Sequence, residues 1–174
     1  MRVRIASLAF GPVLSLVLAA PAFADNSTSL GVFQNWSAYS NGDGTQKVCY
    51  ALAQPKSSAP KKKRDKIFFL VSDWPGRHIK GEIEIVPGYA YKDASDVTLQ
   101  VGAQKFPLFT KNEGDAGSAW VKDPAQENAM VQALRGAPSA TVTGISTRGT
   151  SIKDTYSLTG FGDALDKAHT ACSS

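Results

Sequence analysis

This sequence predicts an all-β fold, a mainly antiparallel β-sandwich or small barrel carrying two peripheral α-helices. Three observations point there. Short runs of alternating or wholly apolar residues recur between clusters of Gly, Asn, Asp, Ser and Pro, the pattern of paired strands rather than helices. Only two stretches show helical spacing, one stopped by Gly136 and Pro138 and one beginning near Gly160. No strand–helix–strand alternation occurs, which argues against a doubly wound nucleotide-binding fold.

The elements follow in order. Trp36 to Tyr39 and Lys47 to Ala53 flank "SNGDGT", whose Asn-Gly and Asp-Gly steps are hairpin-turn chemistry. "KIFFLVS" (66–72) is apolar on both faces and reads as a central strand. "KGEIEIV" (80–86) alternates, with Ile83 and Ile85 opposed to Glu82 and Glu84, as in a half-buried strand. "VTLQV" (97–101) repeats that alternation and turns into "KFPLFT" (105–110), where Pro107 implies an edge position. "SAWVK" (118–122) is a further short strand. Asp123 then caps a helix, with Pro124 in its first turn and Gln126 placed for a capping box. Gly136 and Pro138 stop it. "ATVTGIS" (140–146) and "SIKDTYSL" (151–158) form a hairpin around Thr147-Arg148-Gly149-Thr150. In the last helix Phe161, Leu165, Ala168 and Cys172 fall on one stripe aimed at the core. The sum is about eight or nine strands and no internal repeat.

The amino terminus reads as an export signal, so the chain is expected outside the cytoplasm. Arg2 and Arg4 precede an apolar stretch, Pro21 breaks it, and Ala22-Phe23-Ala24 offers the small residues of a cleavage site. Residues 1–24 therefore read as a signal peptide, 25–32 as a flexible lead-in, and 33–174 as one domain. No later segment has the ~18 uncharged residues needed to cross a bilayer. Loss of Arg2 and Arg4 brings 19 Lys+Arg close to the 15 Asp+Glu, too even a balance to imply a polyanion partner. In an exported protein the two cysteines, Cys49 and Cys172, have each other as disulfide partner, tying the last helix to an early strand.

Lys61, Lys62, Lys63, Arg64 and Lys66 form one basic run. Export excludes nuclear import, and the run lacks the interleaved aromatics of nucleic-acid binding, so no nucleic-acid partner is expected. The run reads first as a solvated, mobile loop that keeps "IFFLV" from pairing with other chains. A weak contact with anionic lipid or lipopolysaccharide headgroups is its functional alternative.

Catalytic constellations are thin. His78 lies in a turn. His169 and Cys172 would make a two-ligand metal fragment without a second pair, so no metal or other cofactor is expected. No Gly-x-Ser-x-Gly elbow supports a serine triad. Glu82 and Glu84 read as a solvent face rather than a glycosidase pair. Asp154 shares a face with Ile152 and Tyr156, and a carboxylate there needs a partner. Arg148, across the turn, is the expected one, either as a structural ion pair or as a polar ligand notch.

"FFLVSDWP" (68–75), "VPGYAYKDASDVTLQV" (86–101), "KFPLFT" (105–110), "AWVKD" (119–123) and "ISTRGTSIKDTYSLTGFGDALDKAHTAC" (145–172) together resemble the invasion-associated locus B family of Gram-negative envelope proteins. The resemblance runs from about Trp36 to Cys172. It implies an exported β-rich domain of the periplasm or outer membrane, with no catalytic residues to carry over. The expected function is that of a non-catalytic envelope protein. It would act through contacts with an envelope or host-surface protein and contribute to host-cell invasion or envelope integrity. The alternative is a periplasmic small-ligand binder or hydrolase using Arg148 and Asp154.

Overall fold

The computed structural model describes residues 27–121 and 123–173. Its strands are β1 (Thr28–Phe33), β2 (Trp36–Asn41), β3 (Val48–Ala53), β4 (Ser57–Ala59), β5 (Phe68–Trp74), β6 (Ile79–Val86), β7 (Val97–Val101), β8 (Gln104–Glu113), β9 (Ala116–Val121), β10 (Ser139–Ile145) and β11 (Ser151–Ser157). The helices are α1 (Glu127–Gly136) and α2 (Phe161–Cys172). All strands join one antiparallel sheet in the order β1-β2-β3-β5-β6-β9-β8-β7-β10-β11-β4. The sheet is not closed, because its edges, β1 and β4, do not pair. It curls instead until β2 faces β11 across the core. There Trp36 Nε1 donates to Ser157 O at 2.8 Å, and the Phe69 ring meets the Tyr156 ring edge-on at 5.3 Å. A side chain completes the curl where a closed barrel would use a ladder.

The core follows from the period-2 patterns. Phe69 and Val71 of β5, Ile83 and Ile85 of β6, Val97 and Leu99 of β7, and Tyr156 of β11 are all buried in one cluster. As expected, β5 is an interior strand and Glu82 and Glu84 lie on the opposite face from the isoleucines. Helix α2 lays Phe161, Ala164, Leu165 and Ala168 onto this cluster, with Phe161 against Trp36 at 4.8 Å between ring centroids. Gly160 precedes it at φ +89°, and a Cβ there would collide with Phe33 O, so only glycine admits this entry.

Three local expectations change. The lead-in over 25–32 becomes, from Thr28 onward, edge strand β1, whose Leu30 and Phe33 pack against the core. The signal peptide over 1–24 lies outside the described residues. Pro107 sits in β8, an interior strand, yet β8 pairs with β7 over 104–108 and with β9 over 108–113. Pro107 therefore falls in the half of the strand that pairs with one neighbour only, so its other side has no ladder to interrupt. Before α1, Asp123 Oδ1 accepts from Ala125 N at 3.0 Å, but the first turn, Pro124–Gln126, is a 3₁₀ turn and the expected capping box does not form.

A cleft over a buried ion pair

The basic run is a strap, not a mobile loop. Beta strand β4 pairs with β11, Lys56 N donates to Thr155 O at 2.8 Å, and Asp65 N donates to Gly88 O at 3.3 Å. Between them Arg64 turns inward. Its Nη2 donates to Asp154 Oδ1 at 2.5 Å and to Ser58 Oγ at 2.8 Å. Its Nη1 donates to Asp154 Oδ2 and to Pro87 O, both at 2.9 Å. Both side chains of the pair are about 95 % buried. This two-pronged geometry is the one a planar guanidinium matches and an ammonium does not. The Asp154 carboxylate beside it raises the Arg64 pKa against the opposing effect of burial.

Asp154 is thus paired, but by Arg64 and not by Arg148. The β11 pattern placed Asp154 inside correctly. Arg148, only six residues away, sits at the exposed tip of the β10–β11 turn and makes no ion pair among the described residues. That turn is held shut by Gly149 N to Ser146 O at 2.8 Å and Ser146 N to Thr150 O at 3.0 Å, with Gly149 at φ +75°. A turn so tight holds Arg148 out over the surface, while a strap 90 positions earlier delivers the buried cation.

Strap and turn face each other across a cleft of about 500 Å³. Lys62, Lys63, Arg64 and Asp65 line one side; Ser146, Thr147, Arg148, Thr150 and Ile152 line the other. Lys62 Nζ reaches Thr150 Oγ1 at 3.4 Å across the gap. Gly88 lies beneath at φ +71°, where a Cβ would stand 2.5 Å from Asp65 O, so the strap's close approach depends on glycine. Tyr89, half-buried beside Arg64, has its hydroxyl pKa pushed up to about 12, chiefly by burial. Lys61 and Lys66, by contrast, point to solvent outside the cleft. The run is divided into an anchor, a lining pair and two bystanders.

At the other end of the sheet Asp73 is buried in β5 opposite Cys49. Its Oδ1 accepts from Gly81 N at 2.9 Å, and its Oδ2 is paired with His169 Nδ1 of α2. The disulfide Cys49–Cys172 forms as expected, with the Cα atoms 5.7 Å apart. His169, read from the sequence only as half of a two-ligand fragment, is therefore a partner for a buried carboxylate. Its signal was present: Asp73 shares the inward face with Phe69 and Val71, and His169 stands one helical turn before Cys172. His78 is exposed at φ 56° after a short turn, beside a cavity of about 300 Å³ next to Cys172. Among the described residues, no group of three or more His, Cys, Asp or Glu side chains could hold a metal ion, and no helix is long and apolar enough to cross a membrane.

Comparison with known proteins places this arrangement. The model of the invasion associated locus B (IalB) protein family matches residues 36–169. The crystal structure of invasion associated protein b from Bartonella henselae is similar in fold, with a TM-score of 0.60 at 17 % identity, covering 85 % of this chain and 100 % of that one. No curated protein sequence matches the chain.

Proposed function

The chain belongs to the invasion associated locus B family, and from that premise we propose that it is an exported envelope protein. It acts without catalysis, by binding a component of the envelope or host surface. The observation that carries the reading is the cleft, in which Lys62, Lys63 and Arg148 are presented on a frame that satisfies itself internally. Both Asp154 oxygens are engaged by Arg64, so the one buried carboxylate near the cleft is committed to anchoring the strap. A disulfide that joins the first half of the chain to the last helix suits the oxidising compartments outside the cytoplasm. The mixed charge of the cleft does not provide the continuous positive track that nucleic-acid binding requires.

Cross-linked capture of the tagged protein from intact envelopes of its own host tests this. One dominant component, retained by the Lys61→Ala/Lys66→Ala variant and lost by Lys62→Ala/Lys63→Ala/Arg148→Ala, is the expected result. Equal capture by both variants would remove the cleft from the function.

A further inference from the structure

We propose that the cleft is a binding site for a phosphorylated sugar. The inference rests on the binding role just described and adds the chemistry of what is bound. The lining divides by function. Lys62 and Lys63 on the strap and Arg148 on the turn approach the cleft from opposite sides, a disposition that places cations around a compact oxyanion. Arg64, though it lines the floor, is neutralised by Asp154 and contributes no free charge. Asp65 and Asp115 share the same cleft. Two carboxylates beside three cations would repel a bare polyanion, but each can accept a hydroxyl hydrogen, the group that a sugar supplies in numbers. Ser146 and Thr150 add hydroxyl groups that donate or accept.

The rest of the lining narrows the choice. Ala90 and Ile152 are its only aliphatic side chains and Tyr89 its only ring, and the charged and hydroxyl groups among them suit a polar ligand better than a fatty chain. A volume of about 500 Å³ accommodates one or two sugar units and not an extended polymer strand. The frame is set before the ligand arrives. Arg64 fixes the strap, Thr147 N bonds Ala90 O at 3.0 Å, and the turn carrying Arg148 is closed on itself. The backbone that carries the cations is therefore fixed in advance, and binding has only their side chains to order. The chemistry is shared by soluble sugar phosphates and by the phosphorylated sugars of lipopolysaccharide, and the test separates the two sources.

Glucose 1-phosphate titrated into the ¹⁵N-labelled protein, followed by NMR, is the first probe, with inorganic phosphate and glucose as controls. The shifts are expected to be saturable and centred on Lys62, Lys63, Arg148 and Thr150. Inorganic phosphate should bind at least ~5-fold more weakly, for want of the hydroxyl contacts. Arg148→Ala and Lys62→Ala/Lys63→Ala should each weaken glucose 1-phosphate about 5- to 10-fold, and Lys61→Ala/Lys66→Ala should change it less than ~2-fold. Asp115→Asn should weaken glucose 1-phosphate relative to inorganic phosphate, whose own binding should tighten as the carboxylate's repulsion is removed. Vesicles carrying lipopolysaccharide trimmed to its phosphorylated inner sugars distinguish the sources: competition with glucose 1-phosphate assigns the lipid-borne ligand, and its absence assigns the soluble one. No saturable binding of glucose 1-phosphate, equal loss in the Lys61/Lys66 variant, or phosphate binding as tightly as the sugar phosphate would each overturn the proposal. Loss of envelope capture without sugar-phosphate binding would sink this inference and leave the binding role standing. Sugar-phosphate binding with capture intact in the cleft variant would do the reverse.

Discussion

Asp154 and Asp73 are both carboxylates buried in the sheet, and each pins a different appendage to it. Asp154 holds the strap through Arg64, whereas Asp73 holds α2 through His169. The helix has a second, covalent fastening in Cys49–Cys172, with Cys49 directly opposite Asp73 in the ladder. The strap has three residues of edge strand, the backbone bonds of Lys56 and Asp65, and its arginine. A buried ion pair adds little net stability over an apolar substitute, but removing one member leaves a charge stranded. The lesson is that a buried carboxylate's partner matters most where only a short ladder backs it and least where a covalent bond does.

Arg64→Ala should show the largest effect, a loss of about 3–5 kcal/mol in urea denaturation, because Asp154 is left buried and alone. Replacing both members, Arg64→Met with Asp154→Leu, should recover most of it. A single-variant loss under ~1 kcal/mol would break the comparison at its root. Removal of the disulfide by Cys49→Ala/Cys172→Ala should cost about 2–4 kcal/mol by the same method. Adding His169→Ala should then cost more than it does with the disulfide intact, since the two fastenings back each other up.

Glu84 sharpens the contrast, as a carboxylate without a salt bridge among the described residues. Burial raises its pKa, Glu82 adds to the rise, and a hydrogen bond with Ser118 opposes it. A folded pKa above the unfolded value means that the folded chain binds the proton more tightly. Stability is then lost as pH rises from about 4.5 through the folded value. Glu84→Gln should raise the melting temperature at pH 7, with the gain shrinking as pH falls through that window. A gain independent of pH would show that charge is not its origin. The smallest effect belongs to Arg148→Ala, within ~0.5 kcal/mol of wild type by denaturation. A loss of several kcal/mol there would restore Arg148 as a structural partner.

The positions at which sequence reasoning succeeded and failed share a physical cause. Period-2 alternation identified β6 and β7, and a doubly apolar run identified β5, because burial of one face or two leaves a direct mark on composition. The two strands it missed, β1 and β4, are the two edges of the sheet. "SSA" is three residues without an apolar face, and "TSLGVF" is interrupted by Gly31 and a register shift, so neither carries such a mark. In the basic run, Arg64 differed from its neighbours only in being the single arginine. That hint was legible in the preference of guanidinium for paired oxygens. Its partner was not, because the nearer arginine, Arg148, satisfied every local criterion.

By itself the sequence determined the class of fold, the interior strands, the stripe of α2, the inward aim of Asp154 and the pairing of its two cysteines. Each of these depends on residue pattern along a few positions, or on a count that allows one answer. Tertiary structure alone decided which cation meets which carboxylate, how the sheet's edges end, and that Lys62, Lys63 and Arg148 share a cleft while Lys61 and Lys66 do not. Those outcomes depend on how far the sheet curls, which brings residues about 90 positions apart within 3 Å. Curl is a property of the whole sheet, and no local stretch of sequence encodes it.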